Sequence, residues 1–271
     1  MTTPVTQYLE RPDGRLSYDD NGVDGPLVIA APGMGDLRHV YRHIRESAAE
    51  AGIRFVTMDL RGMGDTSTEW RQLDDAAVAS DYLALVDHLD AGAAVLVGNS
   101  LSCASAVLAA TDAPDKVAGI MLLGPFVRDV PMKWWQQAAF KAMLMPPWGR
   151  SAWVGYYRKN MYPGAKPSDF DEYVDRLSKN LGEPGRFASF RRITTSSHAE
   201  SGRRLGLGVV TLLHDLSQQF FFDGIDDLAK QVRCIVFGLG QPIINKLSNQ
   251  RLIVCGTKHS HLRRLGVAHH R

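Results

Sequence analysis

Apolar and polar positions along this chain alternate between two kinds of block. Short apolar runs recur at Leu27-Val28-Ile29-Ala30, Phe55-Val56-Thr57-Met58, Val95-Leu96-Val97 and Val117 to Leu123, each bounded by Gly, Pro, Asp or Asn within a few residues. Runs of that length and composition read as buried strands. Between them the spacing becomes helical. Leu37, Val40, Tyr41 and Ile44 share one face of a helix expected over residues 36–51, and Ala77, Leu83, Val86 and Leu89 share one face of a helix over residues 74–90. Upstream, Thr6 to Glu10 and Arg15 to Asp19 flank Arg11-Pro12-Asp13-Gly14, a turn signal that predicts a β-hairpin. Asn21-Gly22 and Asp24-Gly25-Pro26 mark the next turn.

From Phe126 to about Leu207 the alternation stops. This stretch is rich in aromatics and methionine (Trp134, Trp135, Phe140, Met143, Met145, Trp148, Trp153, Tyr156, Tyr157, Tyr162, Phe170), and Pro146-Pro147, Pro163-Gly164 and Pro184-Gly185 break its helical patterns. Most of these side chains are expected to form the segment's own core. Strand patterns return at Val232 to Gly238 and Arg251 to Cys255.

The chemistry points to residues 94–106, A-V-L-V-G-N-S-L-S-C-A-S-A. A buried strand leads through Gly98-Asn99-Ser100, with no room for a loop, into the small and apolar Leu101, Ser102, Cys103 and Ala104 of a helix. A strand, a tight turn with serine at its apex and a helix make a nucleophile elbow. The turn places its serine in a strained backbone region, so small residues are needed on both sides; Gly98 is one and Ser102 the other.

With two further motifs in the same order, A-A-P-G-M-G-D at residues 30–36 and D-L-R-G-M-G-D-T-S at residues 59–67, the chain resembles the α/β-hydrolase family from about residue 5 to about residue 261. The resemblance implies an α/β fold with a mostly parallel, doubly wound sheet. The hydrolase core would comprise residues 1–125 and 208–271, and residues 126–207 a helical cap inserted over the nucleophile. It implies Ser100 as nucleophile and the backbone N–H groups of Met34 and Leu101 as oxyanion donors. Leu212 to Lys230 resembles the helix that re-enters the core. The Gly-x-x-His loop of the family matches Gly256 to His259, making His259 the base, with His261 second. Asp59 and Arg61 are expected to pin their loop and not to act in catalysis. The family's acid follows its strand in a Gly-x-x-Asp pattern, and the matching run here is Gly238-Leu239-Gly240-Gln241. A substitute acid is therefore needed: Asp129 first, with Asp215 and Asp223 behind it.

Composition narrows the classes. At 271 residues the chain suits one α/β domain with a well-covered core. Lys and Arg total 31 against 29 Asp and Glu, and no run of like charges, Arg263-Arg264 included, is longer than two residues, which argues against a nucleic-acid partner. Three scattered cysteines argue for a reducing compartment, with Cys103 and Cys255 as buried thiols. No signal peptide and no membrane span are apparent, so a cytoplasmic protein is expected. The expectation is a cofactor-free serine hydrolase without metal, acting on an ester, thioester or lactone bond of a small, largely apolar substrate. The alternative, raised by Gln241 and the short C-terminal part, is a non-catalytic relative that binds a small apolar ligand. Oligomeric state stays open.

Overall fold

The structure is a computed structural model. It describes residues 5–125, 133–162 and 166–195, together with the backbone of two strands, Cys234–Gly238 and Ile253–Cys255. The eight strands are β1 (Gln7–Arg11), β2 (Gly14–Asp20), β3 (Leu27–Ala31), β4 (Arg54–Met58), β5 (Ala94–Asn99), β6 (Val117–Leu123), β7 (Cys234–Gly238) and β8 (Ile253–Cys255). They form one mixed sheet in the order β1-β2-β4-β3-β5-β6-β7-β8. The four central strands, β4-β3-β5-β6, run parallel, and the outer strands are antiparallel. The N-terminal hairpin turns where Pro12-Asp13 fixes it, with Arg11 opposite Gly14.

Alternate residues of the strands feed two apolar layers, as the period of two requires. On one face Leu27, Ile29, Val56, Met58 and Leu96 pack with α2 (Asp75–Leu89) and α3 (Ser102–Asp112). On the other, Ala30, Phe55 and Val97 pack with Tyr41 and Ala48, which belong to α1 (Arg42–Glu50) and the 3-10 turn before it. Helices on both faces make the sheet doubly wound. α2 is held at its start by Asp74, whose side chain accepts from the Ala77 N–H at 2.9 Å, and at its end by Asp90 in the left-handed region, φ 45°. Every residue of α3 from Ser102 to Ala110 is buried, which is why this helix is built from small and apolar residues.

One helical expectation shifts. Residues 38–41 form a 3-10 turn before α1 begins at Arg42. The tighter turn advances each residue by about 120° where an α-helix advances it by about 100°. The face therefore drifts: Leu37 and Tyr41 are buried, but Ile44 is 49% exposed.

Between β6 and β7 the described residues form α4 (Trp134–Met143), α5 (Gly149–Asn160), α6 (Phe170–Gly182) and α7 (Arg186–Ile193). Trp153, Tyr157, Phe170, Tyr173, Leu177 and Phe190 are buried in the same apolar cluster as the sheet, so the insertion and the core share one interior. Polar ties reinforce the contact. The Asn180 side chain bonds both ways with Gly64, donating to its carbonyl at 2.8 Å and accepting from its N–H at 3.1 Å. Arg42 and Asp169 form a bidentate pair. Of the side chains expected to form the insertion's own core, Trp153, Tyr157 and Phe170 are buried, but in the interior shared with the sheet, whereas Trp134, Trp135, Trp148 and Tyr156, with Met145, are exposed. α4 buries none of its residues and touches the cluster through the half-buried Phe140 and Met143 alone.

Candidate active site

β5 stands in the middle of the sheet and delivers Ser100 at its C-terminal end. Ser100 has φ 53°, a left-handed conformation that non-glycine residues rarely hold outside constrained sites. Its neighbours keep it there. The Ser100 N–H donates to the Leu123 carbonyl at the end of β6, at 2.8 Å. A Cβ added at Gly98 would lie 2.6 Å from the Cys103 backbone N and Cα, so α3 can approach the strand this closely only over a glycine. Cys103, a buried thiol as expected, donates through Sγ to the Gly98 carbonyl at 3.2 Å.

Ser102 does more than stay small. Its hydroxyl accepts from the Asn99 N–H at 2.7 Å and lies 2.9 Å from the Ala31 carbonyl oxygen, to which it donates. Ala31 ends β3 and opens the Pro32-Gly33-Met34-Gly35 loop. The Ser102 side chain therefore ties the turn that carries Ser100 to the loop expected to hold the oxyanion. The sequence reading took Ser102 only as the second small residue; a hydroxyl where smallness alone is required was the signal.

The loop passes directly beside Ser100. A Cβ on Gly33 would sit 3.4 Å from Ser100 Cβ. The Asp36 N–H closes a turn onto the Gly33 carbonyl at 3.2 Å, with Gly35 at φ +69°. A side chain on Gly35 would collide with Phe190 and Trp153, and the Trp153 indole N–H donates to the Gly35 carbonyl at 3.3 Å. The insertion thus presses on the back of the loop. Met34 is half-buried against the core and Leu101 is buried. Among the described residues neither backbone N–H has an acceptor.

Asp36, the last residue of the turn, is buried. It accepts from the Tyr157 hydroxyl at 3.1 Å, from the Tyr173 hydroxyl and from the Leu37 N–H at 2.9 Å. Burial pushes its carboxyl up to about 6 against these donors, and the same burial with the nearby carboxylate raises both tyrosines. Sequence reasoning did not single out this aspartate, because its partners lie more than a hundred residues away.

Asp59 and Arg61 are structural, as expected, but they do not pair with each other. Asp59 is buried and accepts from the Ser17 hydroxyl at 2.9 Å, the Arg38 N–H at 2.8 Å and the Asp65 N–H at 3.2 Å, besides pairing with the Arg38 guanidinium. Arg38 also meets Asp19 at 3.0 Å and Asp65 at 2.8 Å. Burial works against its charge, yet the aspartates together hold its pKa above the ordinary arginine value. Arg61 instead makes a bidentate pair with Asp81 at 2.6 and 2.8 Å, tying the loop to α2. A groove of about 630 Å³ opens beside this cluster, between the loop and α6, with His39, Asp65 and Arg176 on its walls; Ser100 is not part of it.

The remaining expected site residues, His259, His261, Asp129, Asp215, Asp223 and Gln241, lie outside the described residues. The directions of the flanking strands are nevertheless informative. β7 is antiparallel to β6, with Cys234 opposite Leu123 and Gly238 opposite Gly119. Its C-terminal end therefore lies at the edge of the sheet opposite Ser100. β8 reverses again, and its terminal Cys255 pairs with Cys234, back at the edge where Ser100 stands.

The chain matches the family model of the alpha/beta hydrolase fold over residues 26–199 and belongs to that family. Among curated proteins it is 34% identical over 108 residues to a putative non-heme bromoperoxidase of Mycobacterium tuberculosis, covering 40% of this chain and 41% of that protein. It is 32% identical over 135 residues to an epoxide hydrolase of Caballeronia sordidicola, covering 47% of this chain and 40% of the relative. The chain thus matches about two-fifths of the length of these relatives. Similar solved structures include a probable hydrolytic enzyme of Pseudomonas aeruginosa (TM-score 0.60, 18% identity, 79% of this chain and 70% of that one). An alpha/beta hydrolase fold protein of Burkholderia ambifaria is also similar (TM-score 0.62, 16% identity, 73% and 74%). At these identities the structures speak to the fold. Several of the relatives are named as hydrolases, among them the epoxide hydrolase. Among the described residues no helix is long and apolar enough to cross a membrane.

Proposed function

We propose that the protein is a cofactor-free serine hydrolase, cleaving an ester, thioester or lactone bond of a small, largely apolar substrate through an acyl-enzyme on Ser100. The observation that carries this reading is the left-handed Ser100 at the end of β5, with Gly33 of the neighbouring loop against it. Ser100 Oγ attacks the carbonyl carbon while His259 takes its proton, and the Met34 and Leu101 N–H groups receive the negative charge that develops on oxygen. Collapse of the tetrahedral species expels the leaving group, which takes the proton back from His259. A water activated by the same imidazole then frees Ser100. Asp129 is the acid that orients His259. In support, β6 and β8, the strands that precede Asp129 and His259, both end at the Ser100 edge. Gln241 follows β7, whose end is at the other edge.

The apolar wall of the loop, Met34 with Trp153 and Phe190 behind it, favours an uncharged acyl group. Assay of p-nitrophenyl esters from acetate to hexanoate tests the reading. Each added methylene should improve kcat/KM about fourfold until the pocket is full, from about 0.8 kcal/mol per buried CH₂. A flat profile, or a preference for charged acyl groups, contradicts it.

A further inference from the structure

The insertion carries a surface that the hydrolase reading leaves unused. Between residues 130 and 168 the sequence holds Lys133, Lys141, Arg150, Arg158, Lys159 and Lys166 and not one Asp or Glu, although acids and bases nearly balance over the whole chain. The bias is spaced out and so forms no charge run. Four of the five tryptophans fall in the same segment, at 134, 135, 148 and 153. Of these only Trp153 is buried: Trp134 is 80% exposed, Trp135 52% and Trp148 54%.

These side chains are neighbours. Trp134, Ala138, Lys141 and Met145 follow the helical spacing of one α4 face, extended past its end, and Trp135 with Ala139 stands beside it. The Trp148 indole N–H donates to the Ala142 carbonyl at 3.0 Å, which folds that ring against the C-terminal end of α4. Met145 is 48% exposed between them. Among the described residues, Lys133, Lys141 and Lys159 have no acidic partner, whereas Arg158 is held by Asp171 and Asp175. Exposed indoles and a thioether, with Lys133 and Lys141 on the same helix and its cap and no acidic partner for either among the described residues, match the headgroup region of an anionic bilayer. Indoles settle at that level, and each lysine gains from the negative surface. An exposed apolar patch of this kind marks an interaction site.

We propose that the α4 face, with Trp148, docks the protein on anionic membrane surfaces as a peripheral, interfacial contact. The contact does not depend on turnover, and its test is independent of the hydrolase reading. The full chain is sedimented with extruded vesicles of phosphatidylcholine alone or with phosphatidylglycerol at three parts in ten, and tryptophan quenching by brominated acyl chains reports insertion. The wild type should partition at least tenfold more strongly onto the phosphatidylglycerol vesicles, show quenching there, and lose most of the binding in half-molar salt. Trp134→Ser/Trp135→Ser/Trp148→Ser should cut the partition tenfold or more, with far-UV circular dichroism unchanged. Lys133→Glu/Lys141→Glu keeps every indole and should cut it tenfold at low salt, so the test stands even if the serine variant folds poorly. Absent binding, equal binding to both vesicles, or binding that both variants leave intact overturns the proposal. So does a wild type that sediments as a dimer which the serine variant converts to monomer, since the face then joins two copies.

Discussion

The Ser102 hydroxyl lies 2.9 Å from the Ala31 carbonyl oxygen, joining the first turn of α3 to the last residue of β3. The same hydroxyl takes the Asn99 N–H at 2.7 Å, so one side chain fixes both the strand that carries Ser100 and the loop that carries Met34. Ser102→Ala leaves two polar backbone groups without this partner. Stability should fall by about 1–3 kcal/mol in urea denaturation. Ester turnover should drop about tenfold or more with KM little changed, because a loosened loop costs transition-state contact more than substrate binding. Unchanged kcat would show that the tie does not position the loop.

Asp36 makes the stability of the protein depend on pH in an unusual direction. Its carboxyl is raised from 3.8 to about 6 in the folded state, chiefly by burial. The folded state therefore binds the proton more tightly than the unfolded chain. The stabilisation is complete below about pH 4 and is lost as pH rises through about 6, amounting to about 3 kcal/mol. The groups facing the carboxyl are the Tyr157 and Tyr173 hydroxyls and the Leu37 N–H, with Arg42 as the near positive charge. Asp36→Asn removes the titration. Urea midpoints at pH 4 to 8 should show the wild type losing ground to the variant as pH rises. A difference that does not vary with pH contradicts the assignment.

Strand direction separates the two positions for the triad acid. Asp129→Asn should lower ester turnover by orders of magnitude, whereas Gln241→Asp should change it less than about threefold. Loss of the charged partner of a catalytic histidine costs about ten-thousand-fold in the serine proteases. The comparison is made by kcat/KM from pH 5 to 9, with folding checked by circular dichroism. A large gain from Gln241→Asp would place the acid after β7 instead.

What the sequence could disclose was local. The tight strand-to-helix turn at Ser100 is legible because Gly98, Ser100 and Ser102 lie within five residues of one another and each answers a steric demand of that turn. β3, β4 and β6 are legible for the same reason: a buried strand needs only a short apolar run. Arg38 was not legible, since its partners Asp19, Asp59 and Asp65 come together only when β2, the turn before α1 and the loop after β4 meet. The direction of β7 was equally hidden, because V-R-C-I-V-F-G is apolar whichever way it is laid. Trp134 and Trp135 looked like core by composition, yet α4 meets the shared interior through the half-buried Phe140 and Met143 and leaves both indoles exposed.

The claim that Ser100 is an activated nucleophile is tested most directly by intact-mass analysis after treatment with a fluorophosphonate. The phosphonyl group should add once per chain, and peptide mapping should place it on Ser100. Ser100→Ala, folded by circular dichroism, should take up none. An unlabelled wild type, or a label that persists in Ser100→Ala, contradicts the serine-hydrolase account.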